Sequence, residues 1–141
     1  MDKGKTALLL EDSVERGEPY VALLKELGYT VVWVRSFQEV TRAWEGHVFK
    51  VALLDHDLGP VEYFGSGSMF TRWLLGETVN GAPVMDTLFI VHSANTCDTP
   101  GMMIDLGRAG YEAIRTDPSG VEKLLREMVA PKVGGKEEAQ T

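Results

Sequence analysis

Apolar residues in this chain come in short blocks separated by longer stretches of mixed character. Four-residue apolar runs stand at Ala7–Leu10, Val31–Val34, Val51–Leu54 and Leu88–Val91. Each is rich in leucine or β-branched residues and too short for a helix, which fits a strand buried on both faces. Tyr111-Glu112-Ala113-Ile114 is a fifth candidate. The stretches between carry helical spacing. Val21, Leu24 and Leu27 precede Gly28, a good helix stop, and Pro19 suits the first turn of that helix better than its middle. Ser36 and Glu39 form a capping box ahead of Val40, Ala43 and Trp44, with Gly46 as the end. Phe70, Trp73 and Leu74 predict a short third helix. Asp98 or Thr99, then Pro100, opens a fourth that runs to about Gly107. Ser119 and Glu122 form another capping box before Val121, Leu124, Leu125 and Met128. The order is βαβαβαβαβα, which predicts an α/β fold: a doubly wound parallel sheet with helices on both faces.

Composition agrees with one ordinary domain. A chain of 141 residues, 44% hydrophobic and 25% charged, can bury a core without disulfides or a structural metal. The single domain is expected over residues 1–130, with a flexible polar tail over 131–141. Cys97 is the lone cysteine, so no intrachain disulfide forms, and nothing basic in the sequence beside it marks it as reactive. No apolar run is long enough for a secretory h-region or a membrane span, so a soluble, cytoplasmic protein is expected. The net charge of −7 argues against general nucleic-acid binding, which rests on neutralising phosphates with Lys and Arg. It leaves room for a small phosphorylated ligand held through a metal ion.

In an open parallel α/β sheet the ligand site lies beyond the carboxyl ends of the strands. Glu11 and Asp12 follow the first run, and Asp55, His56 and Asp57 the third. His92, Ser93 and Asn95 follow the fourth, and Thr116 and Asp117 the fifth. Up to five carboxylates, Glu11, Asp12, Asp55, Asp57 and Asp117, would crowd one edge. A divalent cation relieves such repulsion, and an oxygen-rich set suits Mg²⁺ or Mn²⁺, while the histidines would also admit Zn²⁺ or Fe²⁺. Two acids flanking a histidine, as in Asp55-His56-Asp57, serve no core purpose, but some of the other residues have a plainer role open to them. Glu11 and Asp12 could cap a helix, His92 could be a core histidine, and His47, before the third run, reads as structural. Trp33, Trp44 and Trp73 sit at apolar-periodic positions and are expected in the core.

The order of elements resembles the receiver domain of bacterial response regulators, over about residues 6 to 129. Glu11-Asp12 falls where receivers keep the acids that help hold Mg²⁺, and Asp55 where they carry the phospho-accepting aspartate. Ser93 matches the Thr or Ser that contacts the phosphoryl group. Thr116-Asp117-Pro118 matches the receiver Thr-Lys-Pro, with an acid in place of the lysine. Asp55-His56-Asp57-Leu58 and His92-Ser93-Ala94-Asn95 are similar to the two motifs of a divergent branch, the cyclic-phosphate processing receiver-like domains. The resemblance implies a three-layer αβα, flavodoxin-like sheet of order 2-1-3-4-5.

For this branch it implies a metal-dependent phosphoesterase acting on a cyclic or other small phosphoester. Asp55, His56 and His92 are then the catalytic candidates. Ser93, Asn95 and Thr116 are the phosphate contacts, and Glu11, Asp12, Asp55 and Asp57 the ligands of Mg²⁺ or Mn²⁺. The alternatives are an atypical receiver phosphorylated on Asp55, with a protein partner, and a non-catalytic adaptor. Arg72 and Arg115 are the cations that could replace the missing lysine. Leu58–Ser68, with Gly65-Ser66-Gly67-Ser68, reads as a flexible connection or a phosphate cradle.

Overall fold

The structure is a computed structural model that describes residues 5–55, 67–79, 86–92 and 99–129. In chain order its elements are β1 (Thr6–Leu10), α1 (Val14–Glu26), β2 (Thr30–Val34), α2 (Phe37–Gly46) and β3 (Val51–Asp55). Then come α3 (Gly67–Val79), β4 (Leu88–His92), α4 (Thr99–Arg108), β5 (Glu112–Thr116) and α5 (Val121–Val129). A 3₁₀ turn at Pro118–Gly120 precedes α5. All strand pairs are parallel, in the order β2-β1-β3-β4-β5. The expected alternation and strand order are both present.

The apolar runs fill both faces of the sheet because a strand turns successive side chains to opposite sides. Leu8, Leu10, Ala52, Leu54, Phe89 and Val91 point toward α2, α3 and α4, meeting Val40, Phe70, Leu74, Met102 and Leu106. Ala7, Leu9, Val51, Leu53 and Ile90 point the other way, against Leu23 and Leu24 of α1 and Val121 and Leu125 of α5. Trp44 centres the larger side, with the rings of Phe49, Phe70, Phe89 and Tyr111 within 6 Å of its own. Of the other tryptophans, Trp33 and Trp73 are only partly buried and pack at the margins. Among the described residues no helix is long and apolar enough to cross a membrane.

Several ends differ from the sequence expectation. Helix α1 begins at Val14, well before Pro19, because Ser13 accepts a hydrogen bond from the Arg16 N–H and caps it. Pro19 therefore lies inside the helix, where its missing N–H deprives the Glu15 carbonyl of a partner on an exposed turn that water reaches. Gly28 ends the helix as expected, at φ +96°, while its N–H bonds the Lys25 carbonyl and that of Tyr29 the Leu24 carbonyl. Gly110, at φ +94°, rather than Gly107, plays that part after α4. Asp117, not Ser119, caps the turn before α5, accepting from the Gly120 N–H at 3.1 Å and the Ser119 hydroxyl at 2.6 Å. His47 closes α2, its Nδ1 3.0 Å from the Ala43 carbonyl and its ring stacked on Phe49, the structural role expected.

Candidate functional site

The strand register assembles the site. Leu10 pairs with Leu54, so Glu11, the next residue, comes level with Asp55; Asp55 pairs with His92, and His92 with Thr116. Leu10, Leu54 and Val91 face α2–α4, so by alternation Glu11, Asp55 and His92 turn toward α1 and α5. Three polar residues from three adjacent strands thus share one layer at the carboxyl edge. All are buried, at 0%, 4% and 2% exposure, and each offers a ligand atom within 4.8 Å of the others.

Local packing fixes Glu11 firmly. Its N–H donates to the Val34 carbonyl at 3.1 Å, and its own carbonyl accepts from the Trp33 indole at 2.9 Å. Trp33 reaches that carbonyl by crossing α1 at Gly17, where a Cβ would overlap the indole ring. Glu11 Oε2 accepts from the Ser13 N–H at 3.1 Å and from Arg16 Nε at 3.2 Å. Its other oxygen, Oε1, is buried and has no hydrogen-bond partner among the described residues, and the same holds for His92 Nε2. Buried polar atoms left without partners cost stability and call for a water or an ion to satisfy them.

Arg16 is the residue that sequence reasoning missed. Its Nη2 lies 3.0 Å from Glu11 Oε2, 3.3 Å from Asp12 Oδ1 and 3.4 Å from Asp55 Oδ2. The available signal was its spacing: four residues after Asp12, in the first turn of a helix that leaves the acidic edge. The two arginines favoured from sequence stand elsewhere. Arg72 on α3 pairs with Asp105 on α4 at 3.4 Å, and Arg115 is exposed on β5, where its charge acts on Asp117.

Tyr20 on α1 meets the His92 ring edge-on, centroids 5.0 Å apart. Burial, reinforced by the charge of Arg16, pushes the His92 imidazole down to about 4. Burial thus favours the neutral imidazole at His92, the form that can ligate a metal. Burial and the charges of Glu11 and Asp55 push the Tyr20 phenol up to about 12, so it stays protonated. For Arg16, burial acts downward, but the Glu11 hydrogen bond and the charges of Glu11, Asp55 and Asp12 outweigh it and the net shift is upward.

Of the sequence-expected site residues, Glu11, Asp55 and His92 converge. Asp12 joins them through Arg16, and its carbonyl accepts from Arg35 at 2.8 Å. Thr116 is in register with His92 but its hydroxyl lies against Gly120, and Asp117 is occupied as a cap, so it does not join the acids. His56, Asp57, Ser93, Asn95, Cys97, Asp98, the 58–66 segment and the tail over 131–141 lie outside the described residues. Two carboxylates and one imidazole, with one oxygen and one nitrogen unpartnered among the described residues, are a donor set that fits a divalent cation.

Residues 6–108 match the family model described as the cyclic-phosphate processing Receiver domain. No curated protein matches the chain by sequence. Among solved structures, the chain is similar to the receiver domain of a sensor histidine kinase from Pseudomonas aeruginosa, which has magnesium coordinated in its active-site cleft. Identity is 22%, coverage 91% of this chain and 99% of that one, and the TM-score 0.61. A response regulator from Burkholderia pseudomallei with a phosphorylated aspartic acid and a calcium ion is 18% identical, with 86% and 65% covered and a TM-score of 0.64. A response-regulator receiver domain from Methylobacillus flagellatus is 19% identical, with 89% and 98% covered and a TM-score of 0.56.

Proposed function

Because the chain belongs to the cyclic-phosphate processing Receiver domain family, we propose that it handles phosphoryl groups at Asp55 with the help of a divalent cation. The observation that carries this reading is the convergence of buried Glu11, Asp55 and His92 at the carboxyl edge, with Glu11 Oε1 and His92 Nε2 unpartnered. The phosphorylated aspartate and the bound magnesium of two similar receiver structures support it.

Glu11, Asp55 and His92 hold the cation, Mn²⁺ or Mg²⁺, with Asp12 and Asp57 as further oxygen donors. When bound, the cation offsets the repulsion between a carboxylate and an incoming phosphoryl group. An oxygen of Asp55 forms a bond to phosphorus while the bond from phosphorus to the donor breaks, and the donor leaves with the electron pair. Attack of water on phosphorus later returns the Asp55 carboxylate and inorganic phosphate. Ser93 and Asn95 donate hydrogen bonds to the phosphoryl oxygens. The Tyr20 ring packs edge-on against His92 and helps hold it in place.

The experiment is incubation of the full chain with acetyl phosphate and Mn²⁺ or Mg²⁺, followed by intact mass. The expected result is a gain of one phosphoryl group that Asp55→Asn lacks. No gain in the unaltered protein rejects the reading.

One observation favours a second reading, hydrolysis of a small phosphoester. An imidazole directly in register with Asp55 is more than phosphorylation requires, and the matched family is described by cyclic-phosphate processing. Here the Asp55 carboxylate attacks phosphorus, the ester oxygen leaves and takes a proton that His56 is proposed to supply, and water then attacks phosphorus and returns the carboxylate. Turnover of a panel of 2′,3′-cyclic, 3′,5′-cyclic and linear phosphoesters, removed by His92→Ala, would establish it. Phosphorylation without turnover leaves the receiver reading alone.

A further inference from the structure

We propose that Arg16 is the phosphoryl-binding cation of this protein, taking the part that the acid at position 117 cannot play. The inference rests on the Asp55 reading above. Where the receiver pattern carries a lysine, this chain has Asp117, whose carboxylate is committed to the Ser119 hydroxyl and the Gly120 N–H. A second negative charge there repels a phosphoryl group, so the positive charge must come from another element.

Arg16 comes from the opposite direction, off the first turn of α1. One nitrogen, Nη2, spans Glu11, Asp12 and Asp55 within 3.4 Å, across the ends of β1 and β3. That contact neutralises one of the three acidic charges and occupies carboxylate oxygens beside the buried Glu11 Oε1 and His92 Nε2. Arg16 and a divalent cation therefore compete for the same carboxylates. The guanidinium side chain is still 53% exposed, so it can turn away by rotamer changes without moving the helix.

Once a cation replaces it on Glu11, the guanidinium is still within reach of whatever Asp55 carries, because it already touches Asp55 Oδ2. Its planar fork matches two oxygens of a phosphoryl group. Conversion of the Asp55 carboxylate to an acyl phosphate adds about one unit of negative charge at this point. A retained guanidinium balances that increment, which the cation alone does not. The same residue thus covers the acids in the metal-free protein and steadies the phosphoryl group in the loaded one. A merely structural ion pair would have only the first effect.

The test uses the full chain, Arg16→Gln and Arg16→Lys. Mn²⁺ binding is followed by calorimetry without any phosphoryl donor, and Asp55 phosphorylation by intact mass with acetyl phosphate at saturating Mn²⁺. Arg16→Gln is expected to bind Mn²⁺ about threefold more tightly and to accept the phosphoryl group about tenfold more slowly. Arg16→Lys keeps the charge, guards against a folding artefact and should fall between the two. Equal phosphorylation rates for Arg16→Gln and the unaltered protein, or weaker Mn²⁺ binding by the variant, overturn the proposal. Absence of phosphorylation in the unaltered protein instead removes the Asp55 reading on which it stands.

Discussion

Three buried acids among the described residues meet an arginine, and two of them, Asp105 and Glu11, behave differently. Asp105 on α4, 7% exposed, accepts from the Thr71 hydroxyl and from Arg72 Nε, both at 3.4 Å, and ties α4 to α3. Glu11 is equally buried and also paired, with Arg16, yet one of its oxygens has no partner and a neighbouring imidazole nitrogen is bare as well. At Asp105 a single carboxylate faces a hydroxyl and a cation, and the group serves to join two helices. At Glu11 a second carboxylate and an imidazole crowd into the same volume, and one half-exposed guanidinium cannot satisfy them all. Burial of an acid is therefore no mark of a functional site. Coordination left over after local pairing is the better mark.

The sharpest way to break this contrast is at Asp55. Asp55→Asn should lose the phosphoryl mass gain completely, whereas Asp105→Asn should keep it. Equal loss in both would make the two acids the same kind of group. Next is the response to metal. At a hundredfold excess over Kd, a ligand that binds only the folded state adds about 2.7 kcal/mol. Thermal melts with Mn²⁺ should show a rise of that order for the unaltered protein and Asp105→Asn, and none for Glu11→Gln. A rise retained in Glu11→Gln would remove Glu11 from the cation site.

Gly17→Ala probes the packing beneath the site. A Cβ there must displace the Trp33 indole, a rigid group, at a cost of about 1–3 kcal/mol in chemical denaturation. Because Trp33 holds the Glu11 carbonyl, Mn²⁺ affinity should fall with it. An unchanged midpoint would show that the indole can shift freely.

The smallest effect is expected at Asp117, the acid of this edge that is not in the cluster. The Ser119 hydroxyl, followed by the Gly120 and Ser119 N–H groups, holds its carboxyl below the usual carboxylate range. A folded pKa below the unfolded value, roughly 3.9, means stability that is complete above that value and lost as pH falls through the folded one. Asp117→Asn should flatten the acid limb of the stability–pH curve below about pH 4 and leave Mn²⁺ binding unchanged. A change in Mn²⁺ binding would return Asp117 to the cation site.

The cluster was half legible in the chain. Glu11 and Asp55 stand directly after apolar runs, and His92 ends one, so knowing where strands stop was enough to place all three on one edge. Asp117 stands in the same kind of position and was expected to join them. The neighbouring Ser119 and Gly120 fold back onto its carboxylate first, a competition between local and long-range partners that spacing alone does not decide. Trp33 looked like core because it sits in an apolar run, yet its indole N–H found the carbonyl of Glu11.

Strand and helix order, the parallel sheet and the polar edge follow from local pattern, because burial on both faces demands apolar runs and a run ends where the chain must meet water. The identity of the counter-charge does not. Arg16, Arg72 and Arg115 are alike in sequence, each a cation on a regular element. Only the packing of α1 against the ends of β1 and β3 brings Arg16 onto three carboxylates, while α3 carries Arg72 to Asp105. A long flexible side chain takes its partner from whatever the neighbouring elements present, and that is a property of three-dimensional proximity that no run or spacing encodes.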